Sequence, residues 1–206
     1  MKNDETIAIG SKTTAPLKPR MTERELELFR SFVRHARNYV EFGAGGSTCV
    51  AAPLVSKSII SVDSSEEWLQ KVAEICAAEP AWIQPTLLFV DIGPLGAWGA
   101  PADSSARDRW PSYHEKVWDI PGAPEADLYM VDGRFRIACF MQSLLHARAG
   151  SLITMHDFTL RPDYAVVAEV ADQIASVDTL AVFRKRHDQD DARVQEILKK
   201  RRFHRT

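Results

Sequence analysis

Three glycines within four positions, Gly43, Gly45 and Gly46, follow directly on a short β-prone run that carries a carboxylate, Tyr39-Val40-Glu41-Phe42. A segment of small and apolar residues, Cys49-Val50-Ala51-Ala52, comes next. This order predicts a strand, a tight turn and a helix, the unit that opens a nucleotide-binding half of an open α/β sheet. Gly43 and Gly45 permit positive φ and bring the backbone within reach of a ligand. A ligand-free strand-to-helix turn is the alternative reading of the loop, so its meaning rests on what the rest of the chain supplies.

Glu41 narrows the ligand. A pyrophosphate lying over the glycines would be repelled by a carboxylate two residues before the first of them. Thr48 stands where a dinucleotide fingerprint has its last glycine, and no G-x-x-x-x-G-K-[ST] sequence is present. A ligand with a cationic centre and no phosphate suits Glu41 better. With Glu41-x-Gly43-x-Gly45-x-Ser47, the chain resembles the class I S-adenosylmethionine-dependent methyltransferases, whose first motif has the form E/D-x-G-x-G-x-G; serine replaces the last glycine. The resemblance implies a Rossmann-like doubly wound, mostly parallel sheet with helices on both faces. It assigns Glu41, Gly43, Ala44, Gly45, Ser47 and Thr48 to the cofactor site, S-adenosylmethionine as cofactor and S-adenosylhomocysteine as product.

The chain of 206 residues, 45% hydrophobic and 26% charged, suits a single domain with a full core. A formal net charge of −2 gives no argument for nucleic acid or an anionic membrane as partner. Cys49, Cys76 and Cys139, without C-x-x-C spacing, imply buried reduced thiols and a cytoplasmic setting. No apolar run has signal-peptide or transmembrane length.

Residues 1–20 lack periodicity and read as a flexible arm before a single domain over 21–206. Thr22-x-x-Glu25 has the form of a capping box and opens a helix with Leu26, Phe29, Phe32 and Val33 on one face. A second strand, Ser58–Val62, ends at Asp63, 20 residues after Gly43, where an acid accepts hydrogen bonds from ribose hydroxyls. Ser64-x-x-Glu67 is read as the next capping box. The third strand, Thr86–Val90, ends at Asp91, which the resemblance makes a candidate for the adenine amino group. Residues 92–125 break the alternation with glycines and prolines and carry Trp98, Trp110, Trp118 and Tyr113. A connection this long and this aromatic reads as an inserted, partly helical wall or lid of the acceptor pocket, or as a patch that serves a partner chain such as a second copy. The fourth and fifth strands, 127–131 and 151–155, end in Asp132-Gly133-Arg134-Phe135-Arg136 and His156-Asp157-Phe158. A helix over 166–174 and one strand over 179–183 follow, which predicts an abbreviated C-terminal sheet. The tail from about 188 reads as a solvated helix with a basic end.

Asp132, His156 and Asp157 are the candidate catalytic residues, because neighbouring strands present them at the carboxyl edge where such sheets bind ligands. Three arrangements suit them: a divalent cation held by Asp132 and Asp157, carboxylates paired with Arg134 or Arg136, or His156 as base oriented by Asp132. The Arg–carboxylate network is preferred to the metal. Arg134 and Arg136 stand in a helix first turn, against the dipole, and so call for an anionic neighbour, whether Asp132, Asp157 or a group on the substrate. With Trp98 they are the candidate substrate contacts. The expected function is methyl transfer to a small-molecule acceptor, with O-methylation favoured. The alternative is a non-catalytic methyltransferase-like domain that binds a nucleoside or a protein partner.

Overall fold

The central strands are apolar on both faces, and this decides the layering. In a computed structural model, which describes residues 17–205, β1 (Asn38–Phe42) and β4 (Leu128–Val131) are buried almost throughout. They therefore need helices above and below. The sheet has seven strands in the order β3-β2-β1-β4-β5-β7-β6, with β2 (Ser58–Asp63), β3 (Thr86–Phe89), β5 (Leu152–Met155), β6 (Asp172–Val177) and β7 (Leu180–Arg184). All pairs are parallel except β5 with β7 and β6 with β7. Two aliphatic and aromatic cores flank the sheet, one around Phe42, Tyr129 and Phe140, the other around Phe29, Tyr39 and Val72. Burying a side chain such as Phe29 is worth about 1.5–3 kcal/mol.

The helices are α1 (Glu23–Val33), α2 (Gly46–Ala51), α3 (Glu66–Ala77), α4 (Ser112–Glu115), α5 (Arg136–His146) and α6 (Asp191–Arg201). Thr22 caps α1 in a full capping box with Glu25, as its spacing predicts. The second cap is displaced by one residue: Ser65 Oγ, not Ser64, accepts the Trp68 N–H at 3.2 Å, because Asp63 Oδ1 takes the Ser65 N–H and turns the chain. Cys49, Cys76 and Cys139 are all buried in helices.

The expectation of an abbreviated sheet is corrected. A short 3-10 run, Pro162–Glu169, stands where the helix over 166–174 begins, and β6 takes over from Asp172. This strand lies at the sheet edge and has a register shift between Gln173 and Ala175, leaving Ile174 42% exposed. A bulge breaks the period-two pattern by which a strand is read. The tail is not merely solvated either, since Val194 and Ile197 of α6 are buried in the core that α5 helps to form. Of the expected arm, residues 1–16 lie outside the described residues. Residues 17–20 pack against the domain: a Cβ on Gly46 would meet the Pro19 nitrogen at 2.2 Å.

The strand order reverses between β1 and β4, and there the sheet opens a crevice at its carboxyl edge. Gly43 and Gly133 meet at that point. Gly43 has φ +104°, and a Cβ on it would lie 2.6 Å from the Gly133 nitrogen. A Cβ on Gly133 would lie 2.1 Å from the Tyr113 hydroxyl, so the 92–125 segment presses directly on the crevice floor.

Candidate functional site

The crevice widens into a cleft of about 850 Å³, toward the upper end of the ~300–1,000 Å³ typical of small-molecule sites. One side is built by β1 and β2. Gly43, Ala44, Gly45 and Ser47 form its floor, Asp63 its wall, and Trp68 its back. The Trp68 indole N–H donates to the Ala44 carbonyl at 2.6 Å, which fixes the loop from behind. Asp63 lies in the wall with its carboxyl pushed up to about 6, mainly by burial and against hydrogen bonds from Ser65, Ser64 and Ala44.

Glu41 lies beneath this floor and not in it. Its side chain is fully buried and accepts hydrogen bonds from four hydroxyls: Tyr39 and Ser47 at 2.9 Å, Ser61 at 2.7 Å, and Thr48. Burial pushes its carboxyl up to about 7, against the pull of the hydroxyl donors. Thr48 Oγ1 also accepts the Gly45 N–H at 2.9 Å, so Thr48 links the buried acid to the loop. Glu41 and Thr48 therefore shape the glycine turn from below. Neither lines the cleft.

Asp91 is the other sequence candidate that the fold keeps away from the cleft wall. Its carboxylate caps the Gly93 N–H at 2.8 Å and pairs with Arg109 on the outer surface. Val90 and Ile92 point inward on either side of it, so Asp91 points out.

The opposite side is built by the ends of β4 and β5 and carries formal charge. Arg136 is 4% exposed at the start of α5, behind Phe135, whose φ of 53° reverses the chain. Its guanidinium bonds Asp157 Oδ2 at 2.8 Å and Asp132 Oδ1 at 3.0 Å, and donates to the carbonyls of Gly133 and His156. Such a fork, satisfied on every side, is what makes a buried ion pair tolerable. His156 Nδ1 lies 3.1 Å from Asp132 Oδ1 and 3.6 Å from Asp157 Oδ1. Its other nitrogen lies 3.5 Å from Glu25 Oε2, on α1. Burial alone would lower the imidazole, but its hydrogen bond and charge pairing with Asp132, helped by Asp157 and Glu25, raise it above its ordinary value.

Glu25 is a residue that sequence reasoning missed as part of this site. It is 2% exposed and accepts from Thr22 N, Thr179 N and Thr179 Oγ1 besides facing His156. Burial opposes its charge, yet these donors hold its carboxyl down at about 2. Through it α1, the β6–β7 turn and the imidazole are fastened together. Nothing in the sequence signals a contact across 131 positions.

Asp132, His156 and Asp157 could together offer a cation three ligand atoms within 4.8 Å of one another. Arg136 already supplies the positive charge between the two carboxylates, so the donor set matches the arginine network and not a divalent ion. Arg134, by contrast, lines the cleft with no side-chain partner among the described residues. Trp98 reaches the rim from the inserted segment, 68% exposed, with the Arg20 guanidinium 3.9 Å from its ring centre. Trp98 and Asp157 both hold left-handed backbone and line the cleft, the kind of place where such strain collects.

No family model matches the chain, and no curated protein matches it in sequence. Solved structures do. A methyltransferase-like protein from Silicibacter pomeroyi is 27% identical over 91% of this chain and 97% of its own, with a TM-score of 0.81. The O-methyltransferase TomG from Streptomyces achromogenes, in complex with S-adenosylmethionine, is 17% identical over 81% of each chain at a TM-score of 0.54. The N-methyltransferase NodS from Bradyrhizobium japonicum is 14% identical over 80% of this chain and 96% of its own, at 0.51. The last two share the fold alone. Among the described residues no helix is long and apolar enough to cross a membrane.

Proposed function

The chain is class I methyltransferase-like, and on that premise we propose that it is an S-adenosylmethionine-dependent methyltransferase acting on a small molecule, with a hydroxyl as the favoured acceptor. The observation that carries this reading is the pairing of the glycine floor with Asp63 in one cleft wall. Gly43 and Gly45 offer a backbone surface free of side chains, and Asp63 offers an acceptor-only carboxylate for ribose hydroxyls. No phosphate-binding sequence competes with that assignment. Asp91 is not needed for the nucleoside in this account.

The bound cofactor supplies an activated methyl group on sulfur. The chain's own residues supply alignment, dryness and a proton acceptor. The acceptor lies on the β4–β5 side, between Trp98 and His156, with Arg134 beside it. With the cofactor held on the glycine floor and Asp63, the acceptor's hydroxyl proton would pass to neutral His156 at Nε2, the nitrogen that Asp132 leaves free and that lies 3.5 Å from Glu25 Oε2. Asp132 orients the imidazole and stabilises the imidazolium that results. Since the folded site raises His156, the neutral base gains population as pH climbs past that raised value, and turnover should climb with it.

Incubating the protein with methyl-tritiated S-adenosylmethionine and fractionated small-molecule extracts tests the assignment. Label entering a small-molecule fraction, and falling ~100-fold with Asp63→Ala, supports it. Label that never exceeds the protein-free blank in any fraction would favour a non-catalytic nucleoside-binding domain.

A further inference from the structure

The cleft holds more positive charge than its own acids balance. Arg136 is consumed by Asp132 and Asp157. Lys18, Arg20, Arg134 and Arg161 also line the cleft, and none of the four has a hydrogen-bonded carboxylate among the described residues, although Arg134 acts on Asp63 through space. In all, five lysine and arginine side chains line the cleft against three carboxylates, Asp63, Asp132 and Asp157. This excess is local, because the whole chain carries a net charge of −2. S-adenosylmethionine cannot offset it: one carboxylate against an ammonium and a sulfonium leaves that molecule with net positive charge. A loaded cleft is therefore still more cationic, and like charges crowded in a partly dry site repel strongly.

Lys18 and Arg20 are exposed and remain hydrated, whereas Arg134 and Arg161 are half-buried. Arg134 follows β4 and Arg161 follows β5, on the side of the cleft that carries His156. The Arg161 guanidinium lies over the Tyr164 ring, 5.8 Å from its centre. The Tyr164 hydroxyl, fully buried and without a hydrogen-bond partner among the described residues, lies within the electrostatic reach of both Arg134 and Arg161, as well as of Arg136 and Asp157. Two planar guanidinium groups beside one wall suit a bidentate anion.

We propose that the methyl acceptor is an organic anion whose carboxylate or phosphate group is held by Arg134 and Arg161, beside His156. The proposal rests on the methyltransferase reading for the word acceptor; the anion site itself does not. Neither guanidinium makes a hydrogen bond within the described fold, so Arg134→Gln and Arg161→Gln break no hydrogen bond or ion pair, and Arg161→Gln gives up only the contact with the Tyr164 ring.

The test follows the arginine Nε–H signals of the full-length protein by NMR while inorganic phosphate, and separately acetate, is added, with and without saturating S-adenosylhomocysteine. The expected result is saturable shifts at Arg134 and Arg161 at concentrations ~10-fold below those moving arginines outside the cleft, with each glutamine variant losing ~10-fold in phosphate affinity. The shifts should persist when S-adenosylhomocysteine is bound. Absence of saturable shifts at both arginines overturns the proposal. So does their disappearance once S-adenosylhomocysteine binds, because the cations would then serve the cofactor carboxylate. If phosphate binds and S-adenosylhomocysteine does not, the anion site stands and the cofactor reading falls.

Discussion

The two walls of the cleft hold a buried acid in opposite ways. On the β1–β2 side Glu41 is surrounded by four hydroxyls and no cation, and its carboxyl is pushed up to about 7. On the β4–β5 side Asp132 and Asp157 share Arg136 and His156, and Glu25 behind them is held down at about 2. The first wall has no cation of its own and a single carboxylate at the cleft surface, Asp63, and it supports a backbone surface. The second is ionic and presents side chains. A nucleoside with neutral hydroxyls and peptide-like edges suits the first, and proton transfer needs the second. The contrast teaches that one crevice divides binding from chemistry by choosing the partner it gives each buried carboxylate.

The sharpest way to break this contrast is to remove the cation. Arg136→Met strands two carboxylates and a histidine, and equilibrium urea unfolding should read a loss of about 3–5 kcal/mol. A loss below about 1 kcal/mol would mean that the second wall is not held by charge. Next in size is a pH effect of opposite sign on the two sides. Glu41 has a folded value near 7 against an ordinary 4.5, so its contribution is complete below pH 4.5 and is lost as pH rises through 7. The cost approaches about 3 kcal/mol. Glu41→Gln should flatten the stability profile between pH 4.5 and 7. Glu25, held down at about 2 from 4.5, contributes above pH 4.5 and loses that contribution as pH falls through 2. Denaturant series at stepped pH would separate the two.

Smaller again is the meeting point of the walls. Gly43→Ala puts a side chain at φ +104° against the Gly133 backbone, and the strain and contact together should cost about 2 kcal/mol, read as a lower thermal midpoint. The smallest effect sharpens the role of α1. Glu25→Gln should lower the His156 pKa by less than about one unit, measured by NMR titration of the ring protons, with Asp132→Asn lowering it further because Asp132 is the nearer partner. The pH at which turnover rises should move down with it. An unchanged imidazole titration would detach α1 from the chemistry.

What the sequence made legible follows the same division. Local spacing is visible in one dimension, so the glycine turn, Asp63 at the end of β2 and the acids at the ends of β4 and β5 all stand where their spacing predicts. Arg136 was also readable, because a cation in a helix first turn demands an anion nearby, and it has two. The direction in which Glu41 points was not readable. Alternation along β1 puts it on one face, but only the fold brings Ser61 and Thr48 onto that face to satisfy it. Strand β6 escaped because an edge strand with a bulge has neither apolar continuity nor clean alternation. Glu25 escaped because its capping box already accounts for it locally, and a second duty across the molecule leaves no trace in spacing.

The central claim is that the β1–β2 wall is the nucleoside site, and calorimetric titration with S-adenosylhomocysteine of the wild type, Asp63→Asn and Arg136→Met tests it most directly. The account predicts saturable binding by the wild type, a loss of about 1.5–3 kcal/mol with Asp63→Asn as the charge-assisted hydrogen bonds go, and a smaller loss for folded Arg136→Met. Absence of heat and of any thermal shift with folded wild-type protein, or equal binding by wild type and Asp63→Asn, would contradict it.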